Sequence, residues 1–176
     1  MVSLTFIFWM YVVLFAVIGA MRGWAKELLV TFSVILALFV LAVLERYVGF
    51  FQKALTGELL FWFRIVILIA LVFFGYQGPN IPKLQSPGRF ARERLQDVLL
   101  GIFLGAINGY LIFGTAWFFL NDAKYPFPII KAPDPNDPVG QAAIQLLNLM
   151  APKWLTIPSV YFAIALAFVF VLVVFI

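Results

Sequence analysis

The sequence has no cysteine and no histidine, and only 11% of its 176 residues carry a charge. Without cysteine there is no disulfide, thiolate nucleophile, thiolate-held cluster or lipidated thiol. Without histidine the commonest general base and the usual axial ligand of haem are missing. The scarcity of charge excludes a soluble fold. Soluble domains run about 25% charged and about 45–50% apolar, whereas 65% of this chain is apolar. A chain of this length leaves roughly a third of its surface wet, so that much apolar side chain cannot all be interior. The composition describes an all-α, polytopic integral membrane protein.

Five nearly uncharged runs stand out, at residues 4–21, 28–44, 59–75, 98–120 and 160–176. Each is close to the roughly 20 residues that cross a hydrocarbon core of about 30 Å. The runs are continuous and do not alternate, which excludes barrel strands. Of the charged residues only Arg64 lies inside a run, near its start. There a long side chain is expected to snorkel to the headgroups. The first run is preceded by no basic residue and followed at once by a second run, so it reads as an uncleaved helix, not a signal peptide.

The connections divide the chain into a four-helix membrane domain (1–120), a proline-rich loop (121–158) and a last membrane helix (159–176). Pro126, Pro128, Pro133, Pro135 and Pro138 forbid a long helix in that loop. The pattern Ala143, Leu146, Leu147, Met150 predicts a short amphipathic helix lying on the membrane surface. An N-terminus outside the cell puts Arg22, Lys26, Lys83, Arg89, Arg92 and Arg94 in cytoplasmic loops. The opposite side holds Arg46, Lys53, Lys124, Lys131 and Lys153, with Arg64 at its margin. The dense third connection tips the balance toward this orientation. Arg92, Arg94 and Asp97 are expected to form interfacial ion pairs with the first connection.

The net charge of +4 reads as topology and attraction to anionic lipid rather than nucleic-acid binding. Asp122, Asp134 and Asp137 have no cation-loop spacing, and no phosphate or dinucleotide fingerprint occurs. No carboxylate falls inside an apolar run, so a proton relay lacks its carriers. The expectation is no catalytic residue, no metal and no cofactor beyond bound lipid.

Two local patterns remain. Gly101, Gly105 and Gly109 recur every four residues in the fourth run, with Asn108 beside them. This doubled small-xxx-small pattern bares one helix face to close approach by another helix. The first connection reads Arg22-Gly23-Trp24-Ala25-Lys26-Glu27, with Gly23 suited to ending one helix and Glu27 to opening the next.

Together these stretches resemble the colicin V production protein (CvpA) family. Residues 22–29 are similar to its "RGF-x-RE-LL" turn, and residues 97–109 to its "DR-x-LG-xx-xG-xx-RG" segment. The resemblance covers roughly residues 5–120, marks Arg22, Gly23, Lys26 and Glu27 as the turn motif, and departs at Val98 and Asn108, where the family carries arginine. It implies a four-helix bacterial inner-membrane protein linked to toxin production, with the last run as an addition.

The sequence therefore supports a non-enzymatic membrane protein acting through partners in secretion or an envelope process. Two other readings stay open. One is an accessory subunit of a larger respiratory or photosynthetic complex, which the uncharged last run suits. The other is a small channel or transporter built by self-association along the glycines.

Overall fold

The computed structural model describes residues 3–49, 56–77 and 91–175, apart from the side chains of 91, 92, 174 and 175. Lys53, Lys83 and Arg89 lie outside the described residues, as does the side chain of Arg92. Among the described residues seven helices follow in order: α1 (Leu4–Arg22), α2 (Trp24–Tyr47), α3 (Gly57–Tyr76), α4 (Ala91–Asp122), α5 (Pro138–Leu149), α6 (Ala151–Trp154) and α7 (Ser159–Phe175). In hydrocarbon every backbone N–H must find a partner within the chain, and a helix satisfies almost all of them locally. Long apolar runs therefore close as helices. Helices α1, α2, α3 and α4 are long and apolar enough to cross a membrane, and α7 is a shorter apolar helix.

The chain turns between α1 and α2 on the single residue Gly23, at φ 84° and ψ 158°. That φ suits glycine alone. A Cβ there would also stand 2.9 Å from the Asp97 carboxylate. The two helices meet mainly at this turn and then diverge around α4, which packs most extensively on α1 and also on α2. Helix α2 lies against α3, α4 and α7 in addition. The main core accordingly runs along α2, with Val34, Ala37, Leu38 and Leu41 packed with Ile65 and Leu68 of α3 and Leu111 of α4. Around it an outward belt that includes Phe6, Val13, Val66, Ile69, Phe162 and Leu166 is exposed on α1, α3 and α7. That is the surface a bilayer covers.

Two sequence expectations are corrected here. Helix α4 starts at Ala91, seven residues before the apolar run, because no proline or glycine separates Ala91 from Val98. The amphipathic helix α5 turns its apolar face to the protein itself. Its Ala143 and Leu147, with Met150, are buried against Phe8 of α1 and Trp117 of α4 in a second core. Phe8 is fully enclosed there, with Tyr110 and Trp117 at ring-centroid distances of 6.1 Å. Tyr110 donates its hydroxyl hydrogen to the Leu149 carbonyl, fixing the end of α5 to α4.

Candidate functional site

Near the Gly23 turn, three helices deliver polar groups to one enclosed spot. Glu27, one turn into α2, and Asn108, in the middle of α4, are both fully buried. The Asn108 amide donates to the Glu27 backbone carbonyl and to Glu27 Oε2, each at 2.8 Å. Thr31, one turn further along α2, donates to Asn108 Oδ1 at 2.7 Å. On the other carboxylate oxygen, Arg22 Nη1 donates to Glu27 Oε1 at 2.6 Å. The Arg22 guanidinium also lies over the Tyr76 ring at 4.3 Å and donates to the Tyr76 carbonyl at 3.1 Å. The ends of α1 and α3 and the start of α2 are thus tied through one arginine, and α4 through one asparagine.

The sequence placed Glu27 as an interfacial cap at the head of an apolar run. The structure buries it, because α4 and α3 close over the first turns of α2. Glu27 lies just outside the apolar run 28–44 yet inside the packed protein. Burying a charge demands a partner and hydrogen bonds for its remaining lone pairs, and Arg22 and Asn108 supply both. Asn108 could be seen in the sequence, but nothing in its spacing disclosed Glu27 as its partner 81 residues away.

The glycine stripe lies beside this network and faces α1 of the same chain. The register is antiparallel: Gly101 meets Gly19, Gly105 meets Phe15 and Gly19, and Gly109 meets Tyr11 and Val12. A Cβ on Gly101 would overlap the Gly19 carbonyl oxygen, and one on Gly105 the Phe15 carbonyl oxygen. On Gly109 it would stand 2.8 Å from Val12 Cα. Small residues here set the backbone separation of the two helices. Gly19, on the α1 side of the seam, escaped the sequence reading because it stands alone in its run.

The remaining turn residues fall around this core. Asp97 sits against Gly23 and accepts the Trp24 backbone N–H at 3.3 Å. The first and third connections are joined by that bond, while the ion pair of the first connection, Arg22–Glu27, lies within it. Lys26 is half-buried and Arg94 is exposed.

At the opposite end of the bundle a second cluster surrounds Arg64. Its guanidinium forks onto Glu45, with Nε to Oε1 at 2.6 Å and Nη2 to Oε2 at 2.9 Å. Nη1 donates to Asp122, and the group lies over the Phe119 ring at 5.4 Å. Arg64 reaches toward the end of the bundle. Carboxylates at the ends of α2 and α4 come within its reach, so it links α2, α3 and α4. Beyond α4, burial pushes the Tyr125 phenol up from its ordinary range, against the hydrogen bond from Trp117 Nε1.

Among the described residues no group of three or more acidic side chains is arranged to hold a metal ion. No protein family, curated protein or solved structure matches this chain.

Proposed function

We propose that this chain is a non-enzymatic integral membrane protein of the colicin V production type, acting by helix packing with other membrane components in toxin production, secretion or an envelope process. The carrying observation is the use of its buried charge. Arg22, Glu27, Asn108 and Thr31 at one end, and Arg64, Glu45 and Asp122 at the other, are bonded to one another across helices. Groups so employed act as fasteners, and broad apolar faces of α1, α3 and α7 remain exposed. The motif residues Arg22, Gly23 and Glu27 lie in the fastened turn, which supports the family reading. The membrane in this reading is the bacterial inner membrane, with the Gly23 turn cytoplasmic and the N-terminus outside.

An accessory-subunit role is favoured by α7, which packs chiefly on α2 and leaves Phe162, Leu166 and Val173 facing outward. Native mass spectrometry after mild solubilisation tests both readings. The expected result is a particle heavier than the 19.9 kDa chain, containing other membrane subunits. A lone chain that by itself turns over or transports a substrate overturns them.

A further inference from the structure

Between α3 and α7, with α2 as its floor, runs a cleft of about 560 Å³. Its floor is Leu29, Ser33 and Leu36, one wall includes Leu71, and the other includes Ile164 and Phe168. The single hydroxyl in it is already used, since Ser33 donates back to the Leu29 carbonyl at 2.9 Å. The cleft therefore offers no free side-chain donor among the residues that line it and suits an apolar occupant. A helix of about 10–12 Å diameter would fill about 560 Å³ with roughly one turn, so a slim chain lies within this open cleft while a helix would stand out of it.

One end of the cleft has a charge. Lys26 stands three residues before Leu29 and seven before Ser33, on the same stripe of α2 and toward the Gly23 turn. Helical side chains lean toward the N-terminus, so Lys26 extends from this stripe beyond Leu29, toward the Gly23 turn. Arg22 nearby is committed to Glu27. Among the described residues no carboxylate pairs with Lys26. An apolar slot with a lysine beyond one end, which pairs with no carboxylate among the described residues, complements an anionic phospholipid.

We infer that the α2–α3–α7 cleft binds an anionic phospholipid from the leaflet on the side of the Gly23 turn, its acyl chain along Leu29, Ser33 and Leu36 and its phosphate on Lys26. This goes beyond the partner-docking function and does not depend on which protein partner is found. A partner helix seated in the same cleft is the competing outcome.

The full chain is reconstituted in vesicles of equal phosphatidylglycerol and phosphatidylcholine, extracted in mild detergent, and its retained lipid counted by native mass spectrometry. The wild type is expected to retain phosphatidylglycerol over phosphatidylcholine. Lys26→Gln is expected to lower that preference about fivefold, the weight of one basic residue at an anionic surface, while Lys26→Arg keeps it. Leu71→Trp fills the cleft and is expected to lose both lipids. A wild-type preference in Lys26→Gln, or wild-type retention in Leu71→Trp, overturns the assignment. A photo-crosslinker at Phe168 in intact membranes gives an independent reading without altering the cleft floor. An adduct of lipid mass supports the proposal, and an adduct to a protein overturns it.

Discussion

Asn108 gives its side-chain amide to both the backbone carbonyl and the carboxylate of Glu27, at 2.8 Å in each case. One side chain of α4 therefore bonds a backbone carbonyl and a buried carboxylate of α2 together. Replacing Asn108 with leucine leaves Glu27 with Arg22 but removes the amide, and a hydrogen bond to a charged buried group is worth about 1.5–3 kcal/mol. Asn108→Leu is expected to lower stability by about 2–3 kcal/mol, measured by reversible unfolding in mixed micelles. A stability equal to wild type would show that the amide holds nothing.

The two arginine clusters differ in what is left behind when the arginine goes. Arg22→Gln strands Glu27, whose side chain is 0% exposed, whereas Arg64→Gln strands Glu45 and Asp122 at 32% and 47%. A buried charge without its partner costs about 3–5 kcal/mol, while exposed carboxylates rehydrate and the loss falls to about 1 kcal/mol or less. The same unfolding assay should rank Arg22→Gln as clearly the more damaging. Equal effects, or the reverse order, would refute the burial argument.

Gly105→Leu forces apart α1 and α4, since its first side-chain carbon already overlaps the Phe15 carbonyl. Backbone cannot yield as a flexible side chain does, so the cost is at least the roughly 1–3 kcal/mol of ordinary overpacking. Gly49→Leu serves as the control, because a Cβ there meets nothing within 4 Å. A cysteine pair at positions 11 and 113, where the wild-type rings stack across the two helices at 4.7 Å, should crosslink less readily in Gly105→Leu than in the Gly105 background. Unchanged crosslinking and unfolding would mean that the seam tolerates bulk.

Orientation is open to a direct assay. Reporter fusions after residues 25, 85 and 130 are expected to read inside, inside and outside. The middle fusion is the most telling, because the third connection carries the densest basic group in the chain. An outside reading there reverses the orientation and moves the proposed lipid site to the other leaflet.

The helices could be read from the sequence because their cause is local. A run such as 98–120 is too apolar for water, and in lipid a continuous run has only the helix to satisfy its backbone. The glycines of α4 could be read for the same reason, since a spacing of four puts them on one face whatever lies opposite. What lay opposite was decided by the tertiary structure: α1 of the same chain fills the seam, with Gly19 meeting Gly101 and Gly105. The fates of Glu27 and Arg64 were decided there too. A charge at the edge of an apolar run reads as a cap or a snorkelling group until another helix crosses it. Asn108 reaches Glu27 over 81 residues of chain, and Asp122 reaches Arg64 over 58. Such pairings depend on how helices are arranged side by side, a relationship that periodicity within a single helix does not encode.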